Sequence, residues 1–450
     1  MAYVAPFRAL RYDPSRVDIS KAITQPYDKI TPEMQDRYYA ATPYNVVRII
    51  LGKRSPEVPN NNVYTRAAGF FSDWRHQGIV RPDAEPSIYS YSQRFTIPGG
   101  TAEFERRGFI ALGRIEDYSA GIVFRHEQTL SKPKADRLEL LRATQAHFGQ
   151  IFMLYNDSGE VESLLARNTA PDIEVTDEFG VLHQVWKVSE PAVIEAVREQ
   201  MRDKKLIIAD GHHRYETALA YRNERRLVAQ GAVASGGGTR QRSSGTAVLG
   251  DESSDAPYDW VMMTLVNMNS PGLIILPTHR VVHSLTLFST DSFMKSARNY
   301  FNVEEVDTTV DAARATGLLQ QAARAGTALL AVTPDQDLLL HTPPGNGRLF
   351  QGLSLRQQSL DVVQLHRVLL QKVLGLSEDS IRNQENLAYV RNTGEAIQRV
   401  RGGGANIAFL MNPVRIGQVR DIAFAGEVLP QKSTDFYPKM LTGLTVYALE

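Results

Sequence analysis

The chain contains no cysteine in its 450 residues. That single absence excludes disulfides, thiolate-held metals and cysteine nucleophiles. It also lacks an excess of charge of either sign, since 50 Lys and Arg stand against 50 Asp and Glu. No bulk field draws the protein to nucleic acid or an anionic membrane, so neither partner is expected, although a local basic pocket stays open. No apolar run reaches membrane-spanning length. The first residues, Met1 to Arg8, have neither the charged head nor the apolar stretch of a signal peptide, which predicts a cytoplasmic location. Internal repeats and heptads are missing as well. What remains is an ordinary globular composition, 43% hydrophobic and 22% charged. The length suggests two or three domains, or one domain with large insertions.

One stretch stands out. Leu206 to Ala209 is a short apolar run, the pattern of a buried strand, and from Arg214 the spacing of Leu219, Arg222 and Arg226 becomes helical. Between them lie Asp210, Gly211, His212, His213 and Arg214. A strand that turns through glycine into a helix presents backbone N–H groups at the positive end of the helix dipole. Two imidazoles and a guanidinium project from the same first turn, so the stretch reads as a phosphate-binding turn. Adjacent histidines on a helix point about 100° apart, which disfavours one metal held by both. Capping of an ordinary helix is the plainer alternative.

The remaining elements predict an α+β fold with mixed and antiparallel sheets flanked by helices. Residues 1–120 form an N-terminal α+β region, with a strand over Val46–Leu51, a helix over Val63–Gln77 and a hairpin closed by Pro98-Gly99-Gly100. Residues 121–285 form a core in which Gly- and Ser-rich 230–257 is a flexible insertion. Residues 286–400 read as an α/β insertion, including one amphipathic helix over Asp361–Leu374. Residues 401–450 return to the core, with Asn412-Pro413 capping a helix to about Ala425.

Four further clusters carry chemistry. Tyr27 and Asp28 follow Pro26 in a turn and could touch a ligand or merely seat the next helix. A polar loop holds Arg125, His126, Glu127, Thr129, Lys132, Lys134, Asp136 and Arg137, with Asp136 leading into a helix. Cations for phosphate oxygens, a carboxylate as base or metal ligand, and a hydroxyl are what phosphoryl transfer uses. Pro277 places a strand end or sheet edge before Thr278, His279 and Arg280, leaving those three beside an opening. Near the C-terminus, Lys432, Ser433, Thr434 and Lys439 lie among prolines and aromatics. No GxxxxG precedes them, so they are not a Walker motif.

Taken together and in order, these segments resemble the domain-of-unknown-function 1015 family. The matching residues are Pro6-Phe7-Arg8, Pro26-Tyr27-Asp28, His126-Glu127-Gln128-Thr129 with Asp136-Arg137, and Asp210-Gly211-His212-His213-Arg214. They continue with Gly272-Leu273, Pro277-Thr278-His279-Arg280, and Pro430 to Thr434 with Phe436-Tyr437-Pro438-Lys439. Ala232–Ser254 looks like an insertion in that pattern. The turn Asp210–Arg214 is also similar to that of free-serine kinases with a ParB/sulfiredoxin-like fold, a resemblance that implies donor phosphates at this turn.

The resulting expectation is a phosphotransferase. It would move phosphate from a nucleotide or pyrophosphate, with Mg²⁺, to a small hydroxyl metabolite such as free serine. Glu127, His213 and Arg214 are the catalytic candidates, Glu127 also as a Mg²⁺ ligand. Asp210, Gly211, His212, His213, Arg214, Arg280, Lys432, Ser433 and Thr434 would bind phosphate. Tyr27, Asp28, His126, Thr129, Lys134, Asp136, Arg137, His279 and Lys439 would support the substrate. The alternatives are a nucleotide-binding regulator without turnover, or a metal-dependent hydrolase using His126, His212, His213 and His279.

Overall fold

The computed structural model describes residues 1–55, 58–127, 131–235, 255–307, 310–341 and 350–450. Thr129 and most of the Gly- and Ser-rich stretch lie outside the described residues. The chain divides into two units. Met1–Arg125, Thr129–Leu273 and Pro438–Glu450 make the first, and His126–Gln128 with Ile274–Tyr437 the second.

The first unit is built on a nine-stranded sheet. In spatial order its strands are Val123–Phe124, Leu206–Asp210, Ile151–Tyr155, Trp260–Asn267, Glu103–Arg114, Ile88–Thr96, Leu182–Val188 and Ile173–Thr176; Val4–Ala5 pairs with Glu103–Arg114. Two pairings are parallel, Leu206–Asp210 with Val123–Phe124 and Ile151–Tyr155 with Trp260–Asn267, and the others are antiparallel. This is the mixed sheet expected of the α+β class. Ile151–Tyr155 is apolar without alternation because every residue is buried, as a strand covered on both faces requires. The hairpin forms at Pro98-Gly99-Gly100, where Gly99 takes φ +80°. Helix Pro191–Met201 turns Ile194, Val197 and Met201 into the core, beside Phe109, Met153, Ile208 and Leu265. A second core gathers Phe71 and Trp74 of helix Val63–His76 with Leu140 and Phe148.

Several local expectations change. Val47–Ile50 is a helical turn, not a strand. Asn45 accepts the Val47 N–H at 2.8 Å and donates to Lys21 O at 2.7 Å, and this cap overrides the β-branched composition. The helix containing Asp136 starts earlier, at Ser131.

The second unit carries a six-stranded, wholly antiparallel sheet. Its order is Asn302–Val306, Asp337–His341, Ala328–Val332, Ile407–Met411, His279–Val282 and Leu387–Val390. His279–Val282 therefore lies inside the sheet, and Thr278, His279 and Arg280 are buried, not beside an opening. Pro277 precedes the first paired residue, so its missing N–H costs the ladder nothing. The helix after Met411 begins at Ile416, because Gln418 caps Arg415 N at 2.9 Å while Asn412 donates to Leu319 O at 3.0 Å. Asp361–Gln364 continues into a wider π-helical stretch, Leu365–Val373, in place of one α-helix.

Gly108 lies where Glu103–Arg114 passes Trp260–Asn267, and a Cβ there would sit 2.4 Å from Leu265 O. Gly108→Ala is expected to destabilise the first unit by about 1–3 kcal/mol. Chemical denaturation checks this, and an unchanged midpoint would contradict the register.

Candidate active site

Strand Leu206–Asp210 hands over to helix His212–Ser235 through Gly211, which has φ +95°. Tyr215 N donates to Gly211 O at 2.9 Å, the first bond of the helix, so Gly211 takes the N-cap position. An alanine there would be strained in φ and would bring its Cβ within 3.1 Å of the Arg214 guanidinium. Asp210 closes the strand instead of capping the helix.

A bulge decides where Asp210 points. Ile208 pairs with Met153, but Asp210 pairs with Phe152, so Ala209 is skipped. Paired residues of an antiparallel ladder share a face. Asp210 thereby moves from the core face of Met153 to the face of Phe152, over which the Arg106 guanidinium lies at 4.8 Å. Asp210 also meets Arg214 at 3.5 Å. Burial alone would raise the Asp210 carboxyl. Lys439, Arg214, Lys29 and His212 outweigh that effect and hold it well below the usual carboxylate range.

Two chain segments bring these cations in, and one buried polar network pins both. Arg106 donates from Nε to Gln93 Oε1 at 3.0 Å and from Nη2 to Pro438 O. Gln93 in turn donates to Lys439 O at 2.9 Å, fixing the backbone that carries the Lys439 ammonium. Gln93 also contacts His183 Nδ1 at 3.4 Å, and His183 Nε2 lies 3.3 Å from Asp177. Asp177 accepts from Gln25 Nε2 at 3.0 Å, which anchors the turn Tyr27–Lys29. Arg106 is fully buried; desolvation lowers its pKa to about 10, partly offset by Tyr91 and Asp210, so it stays charged.

Beside Arg214 a cavity opens, with about 610 Å³ of empty volume, lined by Tyr27, Ile50, Leu140, Phe148, Arg214 and Thr217. Its walls are mainly apolar. Arg137 stacks on the Tyr27 ring at 4.3 Å, and Asp136 accepts from Arg137 Nε at 2.9 Å and from Tyr64 at 2.9 Å. Asp136 and Arg137 thus hold Tyr27 at the cavity wall. Lys134 pairs with Glu216 at 3.4 Å, and Asp28 is exposed. His213 is half-buried on the first helical turn.

The remaining candidates belong to the second unit, where they build a loop. His126 is buried and shares a hydrogen bond of 2.8 Å with Thr434 Oγ1, and Leu429 N donates to His126 O at 2.8 Å. Glu127 Oε1 accepts the Lys432 backbone N–H. Ser433 Oγ donates to Pro430 O at 2.6 Å, and Arg280 Nη2 donates to Lys432 O at 3.1 Å. Lys432 has φ +56°, a conformation a lysine holds only where its surroundings over-determine it. His279 bonds Thr393 Oγ1 at 3.0 Å and accepts from Met411 N at 3.3 Å. Burial and then Arg280 lower its pKa to about 4, so it is a neutral core residue.

Among the described residues no group of three or more His, Asp or Glu is placed to hold a metal. Nor is any described helix long and apolar enough to cross a membrane. Lys29 and Arg106 escape a reading of the sequence. Lys29 follows Tyr27-Asp28 directly and could have been found there, whereas Arg106 is one arginine in a polar strand end.

The family described as "Protein of unknown function (DUF1015)" matches residues 4–363. No curated protein matches the sequence. Among solved structures, the chain is similar to a conserved hypothetical protein from Pyrococcus furiosus, at 11% identity and a TM-score of 0.33, covering 71% of this chain and 88% of that one. It is similar to a free serine kinase in complex with AMP, at 12% identity and a TM-score of 0.32, covering 70% and 83%. A third is SbnI with a C-terminal truncation from Staphylococcus aureus, at 9% identity and a TM-score of 0.34, covering 74% and 85%.

Two outcomes follow from this geometry. Arg106→Met leaves Gln93 and Pro438 without their donor, and it is expected to cost about 2–4 kcal/mol in chemical denaturation. His147 and His279 each have a folded pKa of about 4, through burial first, against 6.5 in the unfolded chain. The unfolded state binds more protons between those values, so stability present above pH 6.5 is lost as pH falls toward 4. A thermal midpoint that stays level or rises across that window would contradict the neutral form of both imidazoles.

Proposed function

The chain belongs to the domain-of-unknown-function 1015 family, and we propose that it is a phosphotransferase that takes phosphate from a nucleotide or pyrophosphate to a small hydroxyl metabolite. One observation carries the reading: Lys29, Lys439, Arg214 and Arg106 all act on the Asp210 carboxylate, at the N-terminus of a long helix. Several cations thus act at this one turn, and the helix dipole adds to the positive field. A di- or triphosphate meets that field with two or more charges. The apolar cavity beside Arg214 suits the base of a nucleotide.

In the reaction, the acceptor oxygen attacks the terminal phosphorus and the bond to the leaving phosphate breaks. The hydroxyl proton passes to a carboxylate. Positioning and charge supply most of the acceleration in such transfers. The described residues offer no carboxylate cluster for Mg²⁺, so the nucleotide phosphates would be its main ligands.

A second reading, nucleotide binding without turnover, has one observation in its favour. Glu127, the carboxylate that the sequence offers as base, already has one oxygen committed to the Lys432 amide.

Calorimetry with ADP, ATP and pyrophosphate is expected to show saturable binding. Arg214→Ala and Lys439→Ala should each weaken it about tenfold, roughly 1.4 kcal/mol. Incubation of each donor with serine and related hydroxyl compounds should yield a phosphorylated product, reduced in Arg214→Ala. Binding with no product in any combination would leave the regulator; no binding at all would overturn both readings.

A further inference from the structure

The second unit holds a cavity of its own, and the motif residues that fall in that unit support one of its walls. The cavity, about 290 Å³, lies between the π-helical stretch Leu365–Val373, the helix Glu378–Asn383 and the segment 428–431. Its volume is close to the lower bound for small-ligand pockets, about 300–1,000 Å³. Leu429 N donates to His126 O at 2.8 Å, and Arg280 Nη2 donates to Gln431 O at 3.4 Å and to Lys432 O at 3.1 Å. Glu127 holds the next amide, that of Lys432. The wall is thereby anchored along its length.

The π-helix supplies the polar lining. Such turns are rare and are frequent at functional sites. Here the stretch brings Arg367 and Gln371 to the cavity. Arg367 is exposed, and its hydrogen bond among the described residues is a long one, 3.5 Å to Gln371 Oε1. Arg382 is balanced, since Glu378 lies at 3.3 Å and Asp379 at 3.1 Å. His366 brings no counter-charge: burial first, then Arg280 and Arg367, hold its imidazole well below the ordinary value, so it is neutral. The charge left over in the lining is the Arg367 guanidinium. The side-chain amides of Gln371 and Gln431, both half-buried, add N–H donors at the same cavity.

These groups define a ligand. A planar guanidinium with neighbouring amide donors matches a carboxylate, which is planar and only accepts. Leu353, Tyr389, Val428 and Pro430, each half-buried, give the rest of the lining an apolar character. A bare inorganic anion would leave that surface wet, and a neutral apolar molecule would leave Arg367 unmatched. We infer that this cavity is a binding site for a small organic carboxylate with a compact apolar body. The site stands within the second unit and does not depend on the phosphotransferase reading.

The test uses the full chain, with hexanoate and benzoate as probes, hexanamide and benzamide as their neutral counterparts, and calorimetry and thermal shift as readouts. Saturable heat is expected with at least one carboxylate, and binding of its amide should be at least about tenfold weaker. Arg367→Gln should weaken the carboxylate about tenfold and leave the ligand-free thermal midpoint in place, because the guanidinium is exposed and weakly held. Arg367→Lys should recover part of the loss. Arg214→Ala should leave carboxylate binding intact, which separates this cavity from the Asp210 turn. No carboxylate binding, an amide that binds as tightly as its acid, or carboxylate binding indifferent to Arg367→Gln overturns the inference. So does carboxylate binding lost in Arg214→Ala.

Discussion

The placement of one carboxylate governs the architecture of the candidate site. Asp210 would point into the core of the first unit if strand Leu206–Asp210 ran without interruption. The bulge at Ala209 sends it to the other face, toward Arg106 and Phe152. A half-buried carboxylate without cations there would tend to protonate or to destabilise the fold. Lys439, Arg214, Lys29 and His212 keep it ionised. The carboxylate in turn keeps those cations close together, against their mutual repulsion. The phosphate proposed for the helix N-terminus would find these charges already assembled, the kind of preorganisation that phosphoryl chemistry draws on.

The assembly depends on residues far apart in the chain. The Tyr27–Lys29 turn, the Asp210–Arg214 turn and the Pro438–Lys439 segment are separate stretches of one unit. Arg106, Gln93, His183, Asp177 and Gln25 join into a continuous buried polar chain that fixes the first and last of them. Satisfied networks of this sort are rigid, and removing one member leaves several groups unpaired. The site's geometry is thereby tied to the stability of the unit that carries it.

Much of this was legible beforehand, for identifiable reasons. Strand, glycine and helix around Asp210 follow from local pattern, because a change of hydrophobic period and a φ-permissive residue both act within a few positions. The α+β class likewise follows from the mix of alternating and helical spacing. What was hidden depends on contacts distant in sequence. The bulge needs the Phe152 partner to be seen, and Arg106 gains its role only from Gln93 and Pro438. At Val47–Ile50 the side chain of Asn45 beat β-propensity, and at Arg280 the interior position of the strand turned an apparent site residue into the support of the Lys432 loop. His126, Ser433 and Thr434 have their polar groups committed to that same loop in the second unit.

The most direct measurement is a crystal structure of the protein grown with ADP. The account predicts the phosphates within hydrogen-bonding reach of the Gly211–Arg214 backbone, with the Lys29 and Lys439 ammonium groups turned toward them. ADP bound elsewhere with that turn empty, or phosphates held without any contact to the first turn of the helix, would contradict it.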